Sequence, residues 1–210
     1  LFKTGDEILV SFDLYGGTFR LFDFYEQQYG IHFKYVDFLN YEEVEQSITE
    51  NTKALFIEPI SNPQMIEVDI DPYYILSKKF NLLTIIDNTF LTPYLSTPLE
   101  DGADIVLHSA TKYIGGHNDV LAGVVTVNDD ALAEQLAQLH NMIGATLSPF
   151  DSYLLQRGLK TLHIRMDRSE YNAKLLAERC SNLDAIDKVL YSGRTGMLSL
   201  RLNKAYRSEE

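Results

Sequence analysis

The chain has 210 residues, of which 45% are hydrophobic and 23% are charged, an ordinary composition for a soluble globular protein of one domain or slightly more. Its 30 acidic and 18 basic residues give a net charge of −12, which argues against binding to nucleic acid or to anionic membranes. No apolar run is long enough to cross a membrane, and a single cysteine cannot form an internal disulfide, so we expect a cytoplasmic protein. Because Leu1 is not an initiator methionine, we also expect the sequence to be part of a longer protein.

Apolar runs typical of short strands alternate with helix-like segments through the first half of the chain. This strand–helix–strand repetition predicts an α/β fold with a mostly parallel sheet and helices on both faces. The predicted strands cover residues 7–11, 33–38, 54–58, 82–87 and 104–109. The predicted helices cover residues 18–29, 41–49 and 70–80.

The second half of the chain is predicted to hold another strand, three longer helices and two final strands. The strand covers 122–127. Two helices follow caps at 128–130 and at 148, a long helix covers about 161–180, and the final strands cover 188–191 and 197–202. We therefore predict two parts. Residues 1–160 form a large domain, and residues 161–210 form a connecting helix and the start of a small C-terminal α+β domain.

Two helix surfaces can also be predicted from the spacing of their side chains. Five aromatic residues recur at roughly helical spacing and indicate a shared apolar side: Phe19, Phe22, Phe24, Tyr25 and Tyr29. Three basic residues of the long helix 161–180 are mixed with glutamates, which indicates a solvated face: Arg165, Arg168 and Lys174.

Asp87 is the last residue of a predicted buried strand. In open α/β sheets, ligands bind beyond the carboxyl ends of the strands, so Asp87 is a candidate ligand-binding carboxylate. The alternative is a turn or helix cap, because Asp-Asn is a common turn pair.

Lys112 follows the end of the next predicted strand. Taken alone, it would be a solvated surface lysine. Its neighbours Ser109 and Thr111 supply hydroxyl groups, and the backbone N–H groups of the Gly115-Gly116 turn are further donors that can reach a phosphate. The segment therefore indicates a site for a phosphorylated ligand.

Lys112 and Asp87, placed beyond two strand ends, are what a pyridoxal phosphate (PLP) enzyme needs. The lysine would hold the cofactor aldehyde as a Schiff base, and the aspartate would keep the pyridine nitrogen protonated. Tyr15, in the segment Tyr15-Gly16-Gly17-Thr18, follows the first strand, where the glycines would allow a sharp turn and present the ring to a planar ligand. Taken alone, the segment would instead be an ordinary strand-to-helix turn with a half-buried tyrosine. Asn62 lies beyond the third strand and would either donate to a ligand oxygen or shape the Asn-Pro turn.

Other kinds of site find little support in the sequence. The five histidines have no metal-ligand spacing, so we expect no metal site. The sequence has no G-x-G-x-x-G fingerprint, Walker loop or G-x-S-x-G elbow, and Cys180 has no histidine near it.

Several segments, in the same order along the chain, closely resemble the Cys/Met-metabolism family of PLP enzymes. The family includes cystathionine γ-synthase, cystathionine β- and γ-lyases and methionine γ-lyase. The matching segments are residues 5–10, 15–18, 87–90, 108–117 with Asp119 and 122–123, and 152–162. One departure is Pro59-Ile60, which stands where the family usually has Ser or Thr followed by Pro.

The resemblance implies a fold-type I, aminotransferase-like large domain and a role for each candidate residue. Lys112 would form the Schiff base with PLP, Asp87 would face the pyridine nitrogen, and Tyr15 would stack on the ring and help protonate the leaving group. The remaining cofactor contacts would be made by Ser109 and Thr111 to the phosphate, Asn62 to the ring hydroxyl, and Thr89. The family's neighbouring-subunit tyrosine and arginine, its glycine–methionine phosphate loop and its substrate-binding C-terminal arginine have no counterpart in this sequence.

The implied activity is carbon–sulfur elimination from a small sulfur amino acid, by a cystathionine β- or γ-lyase that assembles as a dimer of dimers. The alternative within the family is cystathionine γ-synthase, which performs γ-replacement on an acylated homoserine. A rival of another class is a non-catalytic protein that keeps the fold. Retention of both Lys112 and Asp87 argues against it, because packing requires neither.

Overall fold

The computed structural model describes residues 1–206, so the last four residues of the predicted segment 161–210 lie outside the described part. Six strands form the main sheet in the order β2-β1-β3-β4-β5-β6. The strands are β1 (Glu7–Ser11), β2 (His32–Val36), β3 (Thr52–Ile57), β4 (Leu83–Asp87), β5 (Ile105–Ser109) and β6 (Gly123–Thr126). The first five run parallel to their neighbours, and β6 pairs antiparallel with β5. The predicted α/β fold with a mostly parallel sheet is confirmed.

Helices follow most of the strands, and a separate hairpin follows the last helix. The helices are α1 (Gly16–Tyr29), α2 (Tyr41–Ser47), α3 (Asp71–Phe80), α4 (Thr92–Leu95), α5 (Pro98–Asp101), α6 (Asp130–Ile143), α7 (Pro149–Leu159) and α8 (Leu162–Cys180). The hairpin consists of β7 (Ile186–Leu190) and β8 (Ser199–Leu202), and a 3₁₀ turn at Lys204–Tyr206 follows it. None of the helices in residues 1–206 is both long and apolar enough to cross a membrane.

Polar side chains determine where several of these elements begin and end. At Asn40, Asp129 and Ser148, the side chain before the helix accepts the backbone N–H three residues later, which confirms the predicted starts of α6 and α7. The predicted strand 33–38 was wrong at its end. β2 stops at Val36, because the Asp37 carboxylate accepts the Leu39 N–H at 2.9 Å and starts a turn.

The strands alternate their side chains between two cores on opposite faces of the sheet. In β1, Leu9 faces one core, whereas Ile8 and Val10 face the other. The first core is covered by α2 and α3, which contribute Val44, Tyr73, Tyr74 and Leu76. The second is covered by α1 and α6, which contribute Phe22, Leu132 and Leu136. Buried on both faces, the sheet is a rigid support for the loops at its edges.

The prediction that the α1 aromatics share one apolar side was wrong. Phe22 packs into the core and stacks on Phe33 with the ring centroids 4.2 Å apart. The other four aromatic side chains remain 40–53% exposed: Phe19, Phe24, Tyr25 and Tyr29. At 100° per residue, position 24 lies about 200° around the helix from Phe22, on the opposite side, so one helix side cannot hold all five.

Candidate active site

The carboxyl ends of four neighbouring parallel strands meet at one edge of the sheet and line a cavity of about 940 Å³. The strands β1, β3, β4 and β5 lead into its walls. All seven residues predicted for the site line this cavity: Tyr15, Asn62, Asp87, Thr89, Ser109, Thr111 and Lys112. Parallel pairing explains the convergence, because it places the same end of every strand at the same edge.

Asp87 is fixed at the end of β4 by a short chain of hydrogen bonds. Thr89 donates to its Oδ1 twice, from the hydroxyl at 2.5 Å and from the backbone N–H at 3.1 Å. The Thr89 hydroxyl oxygen in turn accepts the Ser109 N–H at 2.8 Å, which joins the ends of β4 and β5. Burial raises the pKa of Asp87, and the hydrogen bonds from Thr89 oppose that shift. A cationic group beside Asp87 would therefore stabilise its ionised form.

Lys112 lies in a tight turn directly after β5. Its N–H donates to the Ser109 carbonyl at 3.0 Å, and its carbonyl accepts the Gly116 N–H at 2.8 Å. The side chain is exposed toward the cavity, and no hydrogen bond or ion pair within residues 1–206 engages its ammonium group. The amine is therefore free to react with a ligand.

Two expectations about phosphate donors in this turn need correction. The Gly115 and Gly116 N–H groups donate to the Ala110 and Lys112 carbonyls, each at 2.8 Å, so the prediction that they are free for a phosphate was wrong. The Thr111 hydroxyl donates to the Ala122 carbonyl at 3.2 Å and accepts the Ala122 N–H at 2.9 Å. It must give up its bond to that carbonyl before it can donate to a ligand. The Ser109 hydroxyl makes no hydrogen bond within the described residues.

Tyr15 precedes α1, and its glycine neighbours act differently from the prediction. Gly16 and Gly17 are the first residues of α1, and neither has a positive φ, so no sharp turn requires them. Instead, a Cβ built on Gly17 would lie 2.4 Å from Cε1 of Tyr15, because the tyrosine ring folds back over this glycine. The ring itself is 50% exposed and borders the cavity.

Glu58 is a site residue that the sequence reasoning missed. It follows β3, is only 6% exposed, and lines the same cavity as Asp87. Both of its carboxyl oxygens accept the Tyr15 N–H, at 3.0 and 3.2 Å. Burial raises its pKa to about 8, with further contributions from the negative charges of Asp87 and Asp13. The signal that identified Asp87, an acid at the end of an apolar run, was equally present at Glu58.

The prediction that Arg165 lies on a solvated face of the long helix was wrong. Its guanidinium group donates to the Tyr113 carbonyl at 2.6 Å and to the Gly158 carbonyl at 2.7 Å, beside the turn that carries Lys112. Arg168 also lines the cavity. Lys174 does pair with Glu170 on the surface, at 2.7 Å. Among residues 1–206, no group of three or more His, Cys, Asp or Glu side chains is arranged to hold a metal ion.

An α/β sheet with an amine, a partly buried carboxylate and hydroxyl groups at its strand ends defines a ligand-binding protein of the open-sheet class. A family model described as Cys/Met metabolism PLP-dependent enzyme matches residues 1–209, and the chain belongs to that family. The family's cofactor is pyridoxal phosphate.

Individual relatives carry several related names. The chain is 54% identical over 204 residues to the cystathionine γ-synthase/O-acetylhomoserine (thiol)-lyase of Bacillus subtilis, covering 97% of this chain and 55% of that protein. It is 48% identical over 193 residues to a cystathionine β-lyase of Lactococcus lactis, covering 92% of this chain and 51% of that protein. The crystal structure of cystathionine γ-lyase from Lactobacillus plantarum, complexed with L-serine, superposes with a TM-score of 0.94 at 40% identity, covering 97% of this chain and 58% of that chain. The chain therefore spans about half the length of the relatives it matches.

The side chains around the cavity fit PLP chemically. Lys112 offers an unengaged amine for the aldehyde. Asp87 offers a partly buried carboxylate whose ionised form a positive neighbour, such as a protonated ring nitrogen, would stabilise. Tyr15 offers an exposed aromatic face, and Ser109 offers a hydroxyl group without a partner in the described residues.

Proposed function

We propose that the full-length protein is a PLP-dependent carbon–sulfur lyase of the cystathionine β/γ-lyase type, acting on a small sulfur amino acid. The observation that carries the proposal is the placement of Lys112 and Asp87 beyond two adjacent strands, on the wall of one cavity. Family membership supports PLP as the cofactor. The relatives named cystathionine β-lyase and γ-lyase support carbon–sulfur elimination as the reaction.

The second candidate is cystathionine γ-synthase activity on an acylated homoserine. The relative from Bacillus subtilis, at 54% identity, carries a synthase name, and this specifically favours the alternative. Both reactions begin with loss of the substrate α-proton, so the same side chains serve either one. Specificity depends on small differences in the pocket.

The chain's own residues have distinct tasks in this mechanism. Bound PLP supplies an electron sink for the negative charge that develops at the substrate α-carbon. The Lys112 amine would hold the cofactor aldehyde and, when free, would take the substrate α-proton as general base. Asp87 would hold a positive charge on the ring nitrogen, and Thr89 fixes the Asp87 carboxylate by hydrogen bonds to Oδ1. Tyr15 would pack against the planar ring, and its hydroxyl would give a proton to the leaving sulfur.

Three further side chains would complete the cofactor site. Ser109 and Thr111 would bind the phosphate, Ser109 through its unengaged hydroxyl. Thr111 would first have to exchange its bond to Ala122. Asn62 would donate to the ring hydroxyl. In the whole protein, we further propose a cytoplasmic dimer of dimers, in which residues 1–160 form the large domain and residues 161–210 form the connecting helix and the start of a small C-terminal domain.

Cofactor binding by the full-length protein is the first test. We expect visible absorbance from the wild-type protein, a spectral shift when an amino acid is added, and loss of both in Lys112→Ala. Lys160→Ala, on the surface at the end of α7, is the matched control and should keep both. A wild-type protein that stays colourless with added PLP would contradict the proposal.

Product analysis then separates the two activities. With cystathionine as substrate, a β-lyase yields pyruvate, ammonia and homocysteine, whereas a γ-lyase yields 2-oxobutyrate, ammonia and cysteine. With cysteine and an acylated homoserine, accumulation of cystathionine without oxo acid would overturn the lyase assignment in favour of the synthase.

A further inference from the structure

Two contacts hold Tyr15 in place, and the first is between its backbone N–H and the buried carboxyl group of Glu58. Glu58 accepts the Tyr15 N–H with both oxygens, across a sequence separation of 43 residues. Glu58 is itself fixed, because it is only 6% exposed and its own N–H donates to the buried Ser11 hydroxyl at 3.3 Å. The end of β3 thereby determines where the backbone of Tyr15 lies.

The second contact fixes the ring rather than the backbone. The Tyr15 carbonyl accepts the N–H groups of Thr18 and Phe19, at 2.9 and 3.2 Å, and so begins α1. The ring then folds over Gly17, where an added Cβ would lie 2.4 Å from Cε1 and 3.1 Å from Cζ. Such separations are far shorter than van der Waals contact, so a side chain at position 17 would displace the ring.

The charges around Glu58 favour its neutral form. Asp13 lies in the β1–α1 loop and Asp87 at the end of β4, and both raise its pKa, which burial has already raised. Lys112 and Tyr15 border the same cavity. A neutral carboxyl group can hold the Tyr15 N–H without placing a second negative charge beside Asp87.

We propose that Glu58 and Gly17 are positioning residues for Tyr15, Glu58 by holding its backbone and Gly17 by leaving space for its ring. The inference rests on the proposed function, in which the Tyr15 ring packs against PLP. It adds two residues that need not touch substrate or cofactor. They act through Tyr15, so their effects must disappear when the Tyr15 side chain is absent.

Hydrogen exchange of the cofactor-free, full-length protein tests the backbone contact independently of catalysis. In Glu58→Ala, the peptide that spans the β1–α1 loop should exchange one amide about tenfold faster or more, because the Tyr15 N–H loses its acceptor. Glu58→Gln keeps an acceptor oxygen and should exchange like the wild type. Asp13→Ala is the loop control, because it removes the acceptor of the Gln64 N–H and not that of Tyr15. Wild-type exchange in Glu58→Ala would overturn the role of Glu58. If that variant does not fold, Glu58→Leu, which keeps most of the side-chain volume but has no acceptor oxygen, replaces it, and wild-type exchange in Glu58→Leu would overturn the role.

A double-mutant cycle on the holoenzyme tests the ring contact. Gly17→Ala should lower kcat/KM on the order of tenfold or more and shift the cofactor absorbance, while the Tyr15 amide keeps wild-type exchange. In a Tyr15→Ala background, the same substitution should have no further effect. Gly16→Ala is the matched control, since its Cβ would lie 3.6 Å from the Arg20 side chain, an ordinary contact. An undiminished effect of Gly17→Ala without the Tyr15 ring would overturn the positioning role, whereas absent cofactor absorbance in the wild type would instead overturn the proposed function.

Discussion

Glu58 makes the stability of the protein depend on pH in the opposite direction to a salt-bridged carboxylate. Burial raises its pKa from 4.5 to about 8, even though the hydrogen bond from the Tyr15 N–H lowers it. Between these two values the native state keeps a proton that the unfolded chain has released. The contribution of Glu58 to stability is therefore fully present below about pH 4.5 and is lost as the pH rises to about 8.

Glu58→Gln removes this titration, so comparing the variant with wild type measures how much the titration of Glu58 contributes to the free energy of unfolding. For the cofactor-free protein, we expect the free energy of unfolding of the variant, relative to wild type, to increase by up to ~1.4 kcal/mol per pH unit within this range. Above about pH 8, the difference should be constant. Urea unfolding across the range measures it, with the exposed Glu178→Gln on α8 as the control that should show no such trend. Parallel stability curves for wild type and Glu58→Gln would contradict the expectation.

At the residue scale, local sequence identified the side chains whose position follows from a strand end. Asp87 is the last residue of β4 and Lys112 lies three residues after the end of β5, and parallel pairing alone places them at one edge. Arg165 could not be identified in this way, because it contacts the Tyr113 carbonyl across 52 residues of sequence. Its helical surroundings indicate only a charged face. Arg165 contacts the turn that carries Lys112 only because α8 packs against this turn.

At the element scale, α7 and α8 together hold the turn that carries Lys112. The backbone of α7 comes so close to this turn at Gly158 that an added Cβ would lie 2.3 Å from the Gly115 oxygen and 2.4 Å from the Ile114 oxygen. Arg165 of α8 donates to the Gly158 carbonyl at 2.7 Å and so fastens both helices to the same place. The contact is between backbones, which cannot move aside as a flexible side chain can.

In Gly158→Ala, helix propensity and packing therefore have opposite effects on the stability of the protein. Propensity alone predicts that alanine stabilises α7 by up to ~1 kcal/mol. We expect the opposite, a loss of about 1–3 kcal/mol, because α7 must move away from the turn. Urea unfolding measures the sign, and Gly16→Ala, at a helical glycine with space for a methyl group, should cause no comparable loss. If Gly158→Ala is as stable as wild type or more stable, the turn accommodates the added methyl group without a loss of stability, and the prediction is wrong.

The elements themselves were largely predictable, whereas their arrangement was not. Periodicity and caps located the strands and long helices to within a few residues, since these signals are local. The helices α4 and α5 were missed because each has only four residues, too few to show a period. The position of β1 between β2 and β3 depends on pairing between distant segments, which no local pattern reports.

At the scale of the whole molecule, three exposed aromatic side chains of α1 form a continuous patch. Phe24, Tyr25 and Tyr29 lie within 5.2–6.1 Å of one another by ring centroid, and each is at least 40% exposed. Apolar groups that cluster on a surface mark sites of association more reliably than scattered ones do. The patch therefore supports the proposed assembly of identical subunits, which would remove these rings from water.

Phe24→Asp tests whether this patch joins the subunits. A carboxylate in a dry interface is strongly unfavourable without a partner, so we expect the full-length variant to sediment as a smaller species than wild type at equal concentration. Ile75→Asp is the matched control. Ile75 on α3 is 71% exposed, more than Phe24 at 51%, so exposure alone would predict the larger effect at Ile75. Clustering of aromatic rings predicts an effect only at Phe24. Wild-type sedimentation of Phe24→Asp would place the subunit contacts on another surface and leave the α1 patch without this role.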